Sequence, residues 1–171
     1  RSHKVITSDN GLVTITGGKW TSYRLMAEDT VDKAIEVCGL PKRKCVTKKF
    51  RIHGYRKNPD LTDHMYVYGS DEPKILRLIE QEPALGEKLS QKFGYTLAEV
   101  VWAVREEMAI TLEDVLARRV RMLFVDAREA MAAAPKAAAV MARELGRDQA
   151  WIDKQVKSFT DLAKNYIFEQ K

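Results

Sequence analysis

The stretch from Leu12 to Arg24 holds the residues of this chain that are best suited to chemistry. Its sequence, LVTITGGKWTSYR, is typical of a β-strand, a turn with two glycines and the start of a helix. Glycine accepts a positive φ and lets another group approach the backbone, and the first N–H groups of a helix have no partner inside it. Such a turn is suited to binding an anion.

Lys19 follows the two glycines directly. A cation at a helix N-terminus opposes the helix dipole by about 0.3–1 kcal/mol, unless an anionic group is bound there. A ligand that carries phosphate or develops negative charge therefore fits this position. A strand, a GGK turn and a helix are by themselves a weak signal, because a tight connection with a solvated lysine has the same sequence.

The elements around the turn follow from periodicity. Apolar residues predict one face of a helix from Trp20: Trp20, Tyr23, Ala27, Val31, Ala34, Ile35 and Cys38. Gly39 and Pro41 are typical of its end. The strand over residues 12–16 has no convincing partner in the chain, and an isolated strand leaves its backbone groups unpaired. We therefore expect it to belong to a sheet whose other strands precede Arg1.

The composition narrows the class of protein. The 171 residues are 45% hydrophobic and 31% charged, enough for one core, and no run of about 18 apolar residues indicates a membrane span. The net charge is +5, but basic residues alternate with acids and no aromatics interleave with a basic run. Nucleic acid is therefore not an expected partner, whereas contact of a basic face with anionic lipid stays open. We expect a cytoplasmic protein, either free or peripheral on the membrane.

Cysteine, histidine and the chain start add further expectations. Cys38 and Cys45 fit no usual zinc or redox spacing, which favours reduced thiols, and three scattered histidines do not predict a metal site. The chain starts at Arg1 without methionine or signal peptide, so we expect further polypeptide upstream.

The rest of the chain is predicted to be mainly α-helical, as a C-terminal bundle of about six helices. Residues 40–68, with basic clusters and the breakers Gly54 and Pro59, are interpreted as a linker. Helices are predicted over residues 70–81, 83–91, 96–108, 111–135, 136–145 and 148–168. The predicted boundaries rest on the cap at Ser70, the capping boxes at Thr96 and Thr111, Pro135 and Gly146 as ends, and the cap at Asp148.

Two charged residues fall on apolar stripes of the predicted bundle. Arg119 lies one helical turn after Val115, and Glu107 lies on the stripe of the preceding helix. Because a desolvated guanidinium without a carboxylate is costly, we expect the two to form a structural pair. Arg118 lies four residues after Asp114, which predicts a weak surface ion pair.

Specific strings resemble a known family. Gly17-Gly18-Lys19-x-x-Ser22-Tyr23-Arg24-x-x-Ala27 resembles the second signature of the FAD-dependent glycerol-3-phosphate dehydrogenases, and Arg1-Ser2-His3 resembles the segment leading into it. TLEDVLARR, residues 111–119, is similar to the motif of that family's C-terminal helical cap, although Val120 stands where a threonine is common. The resemblance covers most of the chain.

The resemblance implies a flavoenzyme that oxidises sn-glycerol 3-phosphate to dihydroxyacetone phosphate and passes electrons from FAD to a quinone. Residues 1–39 would then be a strand-turn-helix left over from an α/β domain that binds FAD and substrate. Residues 40–68 would be the linker, and residues 69–171 the helical cap domain.

The resemblance also assigns site residues. Lys19 and Arg1 would bind the substrate phosphate, and Gly17, Gly18, Lys19 and Trp20 would bind the cofactor. No residue of this chain is assigned a catalytic or metal-binding role. Tyr23 and Arg24 match the signature, but their place on the helix is also consistent with a role in packing alone.

Several alternatives stay open. The GxGxxG dinucleotide fingerprint is absent from the sequence. We therefore expect this chain alone to bind no FAD and turn over no substrate, and residues 1–47 to be poorly ordered or packed against another polypeptide, the N-terminal domain of a longer enzyme. An oxidase using oxygen would share these motifs. Residues 69–171 alone would also suit a non-catalytic interaction module for membrane contact or assembly, including a homodimer.

Overall fold

The computed structural model describes residues 2–168. The chain divides into two compact units, Arg1–His53 and Gly54–Lys171, and each unit is described by itself. The domain boundaries expected from the sequence, at residues 39 and 68, stay a prediction. The predicted mainly α-helical fold is confirmed, and a small two-stranded sheet lies near the N-terminus.

The first unit begins with a β-hairpin. Strands β1 (His3–Thr7) and β2 (Val13–Gly17) pair antiparallel, with His3 opposite Gly17 and Thr7 opposite Val13. The prediction that β2 has no partner in this chain is therefore wrong. The missed signal is the Asn10-Gly11 dipeptide, because such pairs favour hairpin turns and Gly11 has a φ of +83°.

A single helix follows the hairpin. A 3-10 turn at Trp20–Ser22 leads into helix α1 (Tyr23–Val37), and Gly39 ends it at a φ of +61°, as predicted. None of the described residues in this unit is buried. The apolar face of α1 consequently has no full cover within the unit. That another polypeptide packs against it stays a prediction.

The second unit is helical. Its helices are α2 (Glu72–Gln81), α3 (Leu97–Glu106), α4 (Met122–Val125), α5 (Ala127–Leu145) and α6 (Gln149–Ala163), with 3-10 turns at His64–Asp71, Pro83–Gly86 and Lys164–Tyr166. The largest fully buried apolar side chains of the core are those of Ile75, Leu112, Leu116, Met122, Leu123 and Met141. Residues 64–68, at the end of the predicted linker, belong to the 3-10 segment His64–Asp71. The helix predicted over residues 83–91 is wrong, because only a short 3-10 turn, Pro83–Gly86, forms there.

The longest predicted helix, over residues 111–135, is interrupted. A π-helical turn at Asp114–Arg119 is followed by Arg121 at a φ of +58°, and the Asp126 carboxylate then caps α5 by accepting bonds from the Arg128 and Glu129 amides, both at 3.1 Å. Helix α5 continues through Pro135 to Gly146, so the predicted end at Pro135 is wrong, whereas the stop at Gly146 is confirmed.

Packing explains how α5 tolerates its proline. The helix buries a face made almost wholly of alanine: Ala127, Ala130, Ala133, Ala134, Ala137, Ala138 and Ala142, with Met141. That face continues on both sides of Pro135, which is itself exposed. Close packing of the buried face therefore stabilises a helix that local propensity would end.

The predicted pair of Arg119 and Glu107 forms, but not in the core. Arg119 Nε lies 3.4 Å from Glu107 Oε2 and donates to the Glu107 carbonyl oxygen at 3.2 Å, with the two side chains 28% and 30% exposed. Partial burial raises the pKa of Glu107 and Arg119 opposes that shift. The apolar stripe was assigned with the periodicity of a regular α-helix. The π-helical turn changes the direction in which the Arg119 side chain points. The surface pair of Arg118 and Asp114 is confirmed at 3.0 Å.

Glu99 is a deeply buried charged residue of this unit, with 1% of its surface exposed. Its carboxylate accepts hydrogen bonds from the Thr96 amide at 2.7 Å, from the Tyr68 hydroxyl at 3.0 Å and from His64 Nε2 at 3.2 Å. The sequence predicts the capping box at Thr96. It does not predict that Glu99 is buried against residues 64–71. The hydrogen bond to Glu99 raises the pKa of His64, and desolvation raises the pKa of Tyr68 well above its usual range.

The stability of the second unit is predicted to depend on pH through His64. Because the pKa of His64 is raised in the folded state, its charged pair with Glu99 stabilises fully below about pH 6.5 and loses that effect as pH rises through the raised value. His64→Gln should lower the free energy of unfolding more at pH 5.5 than at pH 8.5, as measured by urea denaturation. A pH-independent difference between the two proteins would contradict the pairing.

A second prediction tests the continuity of α5. Pro135→Ala restores a backbone N–H in the helix interior and should raise the free energy of unfolding by about 2–3 kcal/mol. Pro73→Ala is the matched control, because Pro73 lies in the first turn of α2, where a missing N–H costs little. If two helices met at Pro135, both substitutions would have similar, small effects on the urea midpoint.

Candidate functional site

The candidate site is the turn of Gly17, Gly18 and Lys19 between β2 and the 3-10 turn. Gly17 has a φ of +78° and Gly18 a φ of +84°. Two successive residues in this region are unfavourable for any side chain with a Cβ. The sequence-based reason for a glycine pair at this turn is therefore present in the structure.

Packing around the turn excludes side chains as well. A Cβ on Gly17 would lie 3.0 Å from the Ser2 carbonyl oxygen, and a Cβ on Gly18 would lie 2.6 Å from Met26 Sδ. The same Cβ on Gly18 would lie 3.3 Å from His3 Cβ. Strand β1 and helix α1 thus enclose the turn from two sides, and the glycines are required by the protein's own packing.

Both amides at the turn lie next to acceptors of the chain itself. Lys19 N donates to Ser22 Oγ at 3.3 Å, while the Ser22 hydroxyl donates to the Lys19 carbonyl oxygen at 2.9 Å. His3 lies opposite Gly17 and the Ser8 amide donates to the Leu12 carbonyl oxygen, and this register directs the Gly18 amide to the Ser2 carbonyl oxygen. The exposed Lys19 side chain is therefore the group of the turn best placed to meet an anion.

Exposed groups surround the turn. The Lys19 side chain is exposed and makes no ion pair within the described part of the chain. Trp20 is 87% exposed, with its ring stacked on Tyr23 at 5.8 Å between centroids. Arg1, the other residue expected at the substrate phosphate, lies outside the described residues. The structure thus brings an ammonium and an indole together at one turn.

The Arg24 side chain makes hydrogen bonds to other side chains of the same unit. It donates to Glu28 at 2.6 Å, which raises the pKa of the guanidinium, and to Thr47 Oγ1 at 3.2 Å. Beside it, α1 and residues 43–52 enclose an apolar groove of about 750 Å³ that includes Tyr23, Phe50 and Ile52. Arg24 therefore links α1 to the segment that follows, consistent with the packing alternative.

The sequence did not reveal one ion pair beside the turn. His3 Nε2 lies 2.6 Å from Asp29 Oδ2, between the first residue of β1 and the second turn of α1. The two residues are 26 positions apart in the sequence, and no local pattern predicts the contact. Elsewhere, no group of three or more metal-binding side chains occurs in the residues that were described.

Comparison with known proteins identifies the family. A family model described as the C-terminal domain of alpha-glycerophosphate oxidase matches residues 14–152. The match covers most of the chain, including the glycine turn and all of helices α1 to α5. The chain belongs to this family.

Individual relatives are dehydrogenases by name. The chain is 34% identical to a probable mitochondrial glycerol-3-phosphate dehydrogenase of Caenorhabditis elegans and 34% identical to the mitochondrial enzyme of Mesocricetus auratus, in each case over 98% of this chain and 25% of the relative. The enzyme of Schizosaccharomyces pombe is 33% identical, over 98% of this chain and 31% of its own length. The chain thus spans about a quarter to a third of these relatives.

Among residues 2–168, no helix combines the length and apolar composition required to cross a bilayer.

Substitution of the glycines tests the geometry of the turn. Gly18→Ala should destabilise the first unit more than Gly39→Ala, because both residues have positive φ but only Gly18 has neighbours that a Cβ would strike. The strain of φ alone is about 1–2 kcal/mol in each. Hydrogen exchange of the β1 and β2 amides measures the destabilisation in each variant. Combining Gly18→Ala with Met26→Ala should reduce the excess destabilisation of Gly18→Ala over Gly39→Ala.

Proposed function

We propose that this chain is the C-terminal part of an FAD-dependent enzyme that oxidises sn-glycerol 3-phosphate to dihydroxyacetone phosphate. The observation that carries the proposal is the glycine turn, where Gly17 and Gly18 both have positive φ and the exposed Lys19 makes no ion pair within residues 2–168. Family membership supports it, and so do relatives whose names include this dehydrogenase activity.

The residues present fit one end of the cofactor. The two glycines let a ring approach the backbone closely, and the exposed indole of Trp20 is suited to line it. The sequence holds no GxGxxG, so the pyrophosphate and adenosine of FAD require residues outside this chain. We propose that an N-terminal domain of the longer enzyme supplies them.

The roles of the residues follow from their chemistry. FAD, when bound, accepts a hydride from C2 of the substrate. Gly17 gives the turn its shape, and the Lys19 ammonium, with Arg1, binds the substrate phosphate. The first helical turn adds its dipole to the field at the same place.

The electron acceptor has two candidates. We propose a quinone, because the relatives' names describe dehydrogenases. The family model's description names an oxidase, which favours oxygen as the alternative. Following hydrogen peroxide formation and quinone reduction in the full-length enzyme with the same substrate distinguishes them.

The helical unit is proposed to have a supporting role. Its buried carboxylate, Glu99, has its oxygens occupied by Thr96, Tyr68 and His64 rather than facing a cavity. We infer that residues 69–171 act as a cap that assists assembly, such as homodimer formation, or attachment to a membrane surface. Full-length enzyme truncated before Gly69 should then retain flavin while losing dimerisation or membrane association.

Replacement of Lys19 tests the proposed function. Lys19→Ala in the full-length enzyme should raise the KM for glycerol 3-phosphate about 10- to 100-fold, because a charge-assisted contact contributes about 1.5–3 kcal/mol. Steady-state kinetics measures the change. Lys4→Ala, on the neighbouring strand, is the control and should leave KM unchanged. An unaltered KM for Lys19→Ala would contradict phosphate binding at this turn.

A further inference from the structure

Lys19 occupies the N-cap position of the 3-10 turn, where its side chain cannot act as a cap. An N-cap side chain has to accept a hydrogen bond from a backbone amide, whereas lysine has three donors and no acceptor. Lys19 accordingly makes no side-chain cap bond. Its charge also opposes the dipole of the helix that follows. The lysine is therefore in conflict with the local structure, and such a conflict is expected where a side chain serves binding.

Ser22 supplies the hydrogen bonds that the lysine side chain cannot make. The Ser22 hydroxyl donates to the Lys19 carbonyl oxygen at 2.9 Å and accepts from the Lys19 amide at 3.3 Å. The Ser22 amide donates to the same carbonyl oxygen at 3.0 Å. Both backbone polar groups of Lys19 are thus bonded to one residue. A hydroxyl can donate and accept through a single atom, and alanine cannot replace it in this role.

The backbone of Lys19 is fixed on both of its sides. Before it, Gly18 is enclosed by Met26 and His3, and after it, Ser22 bonds to its amide and carbonyl groups. Lys19 itself is extended, with φ at −128° and ψ at 151°. Because Cβ is attached rigidly to the backbone, this conformation sets the direction in which the side chain leaves the chain. A group that is ordered beforehand loses less entropy when it binds.

We propose that Ser22 is a positioning residue for the substrate phosphate: its hydroxyl fixes the Lys19 backbone, so that the ammonium is directed at the phosphate before the substrate binds. This inference rests on the proposed function, in which Lys19 binds that phosphate. Ser22 itself contacts neither substrate nor cofactor in this role. Without the hydroxyl, the bond from the Ser22 amide and the stacked rings of Trp20 and Tyr23 stay in place. The turn should therefore still form.

The test uses the full-length enzyme with FAD bound. Ser22→Ala should raise the KM for glycerol 3-phosphate about 3- to 10-fold, less than Lys19→Ala does, because the loss of a neutral hydrogen bond displaces the ammonium without removing it. The kcat should change less than about twofold. In the Lys19→Ala background, Ser22→Ala should leave KM unchanged, because no ammonium remains to be directed. Ser22→Thr keeps the hydroxyl and should restore the original KM.

Thr21→Ala is the matched control. Thr21 is the exposed neighbour of Ser22, and its hydroxyl makes no hydrogen bond to any residue from 2 to 168, so the original KM is expected. An unchanged KM in Ser22→Ala would overturn the positioning role, and so would an equal increase of KM with and without the lysine. If Ser22→Ala does not retain FAD, the same criteria apply to Ser22→Cys, which keeps the volume but is a weak donor and acceptor.

The outcome for Lys19 separates this inference from the proposed function. If Lys19→Ala raises KM while Ser22→Ala does not, the proposed function stands and the positioning role of Ser22 is refuted. If Lys19→Ala leaves KM unchanged, phosphate binding at the turn is contradicted, and the inference for Ser22 is refuted with it.

Discussion

The carboxylate of Glu99 must be satisfied inside the protein, because it is almost completely removed from water. An isolated buried charge is costly, and partners on two separate segments meet that requirement. Thr96 lies at the start of the same helix, whereas His64 and Tyr68 lie about 30 residues earlier. The 3-10 segment from His64 to Asp71 is therefore held against α3 by a polar network as well as by apolar contacts.

Other features of the helical unit depend on the same region. Gly94 leaves room for the imidazole of His64, since a Cβ there would lie 2.6 Å from His64 Nδ1. The packed face of α3 continues from Glu99 into Val100, Val101 and Ala103, which contribute to the core with the alanine face of α5. The buried network thus aligns the start of α3, and the alanine face lets α5 approach it closely.

The glycine turn combines internal packing with a feature directed outward. Met26 and His3 leave no space on the inner side of Gly18, while the ammonium of Lys19 is exposed and makes no ion pair among the described residues. Glycine is thus required for two independent reasons, backbone conformation and packing. The proposal for an anionic group depends on the exposed cation beside this turn.

The sequence by itself determined the local elements with clear chemical signals: the glycine turn after a β-branched strand, the capping box at Thr96, the cap at Asp148 and the glycine stops at residues 39 and 146. These depend on neighbours within a few residues, and the strings around the turn and over residues 111–119 were specific enough to indicate the family. The pairing of β1 with β2 was also within reach, through Asn10 and Gly11. Only the tertiary structure decided the rest. Residues distant in sequence decide four features: the continuation of α5 through Pro135, the outward position of Arg119, the burial of Glu99 and the contact of His3 with Asp29. In each case the packing free energy exceeds the local propensity, and no periodic pattern in the sequence indicates the contact.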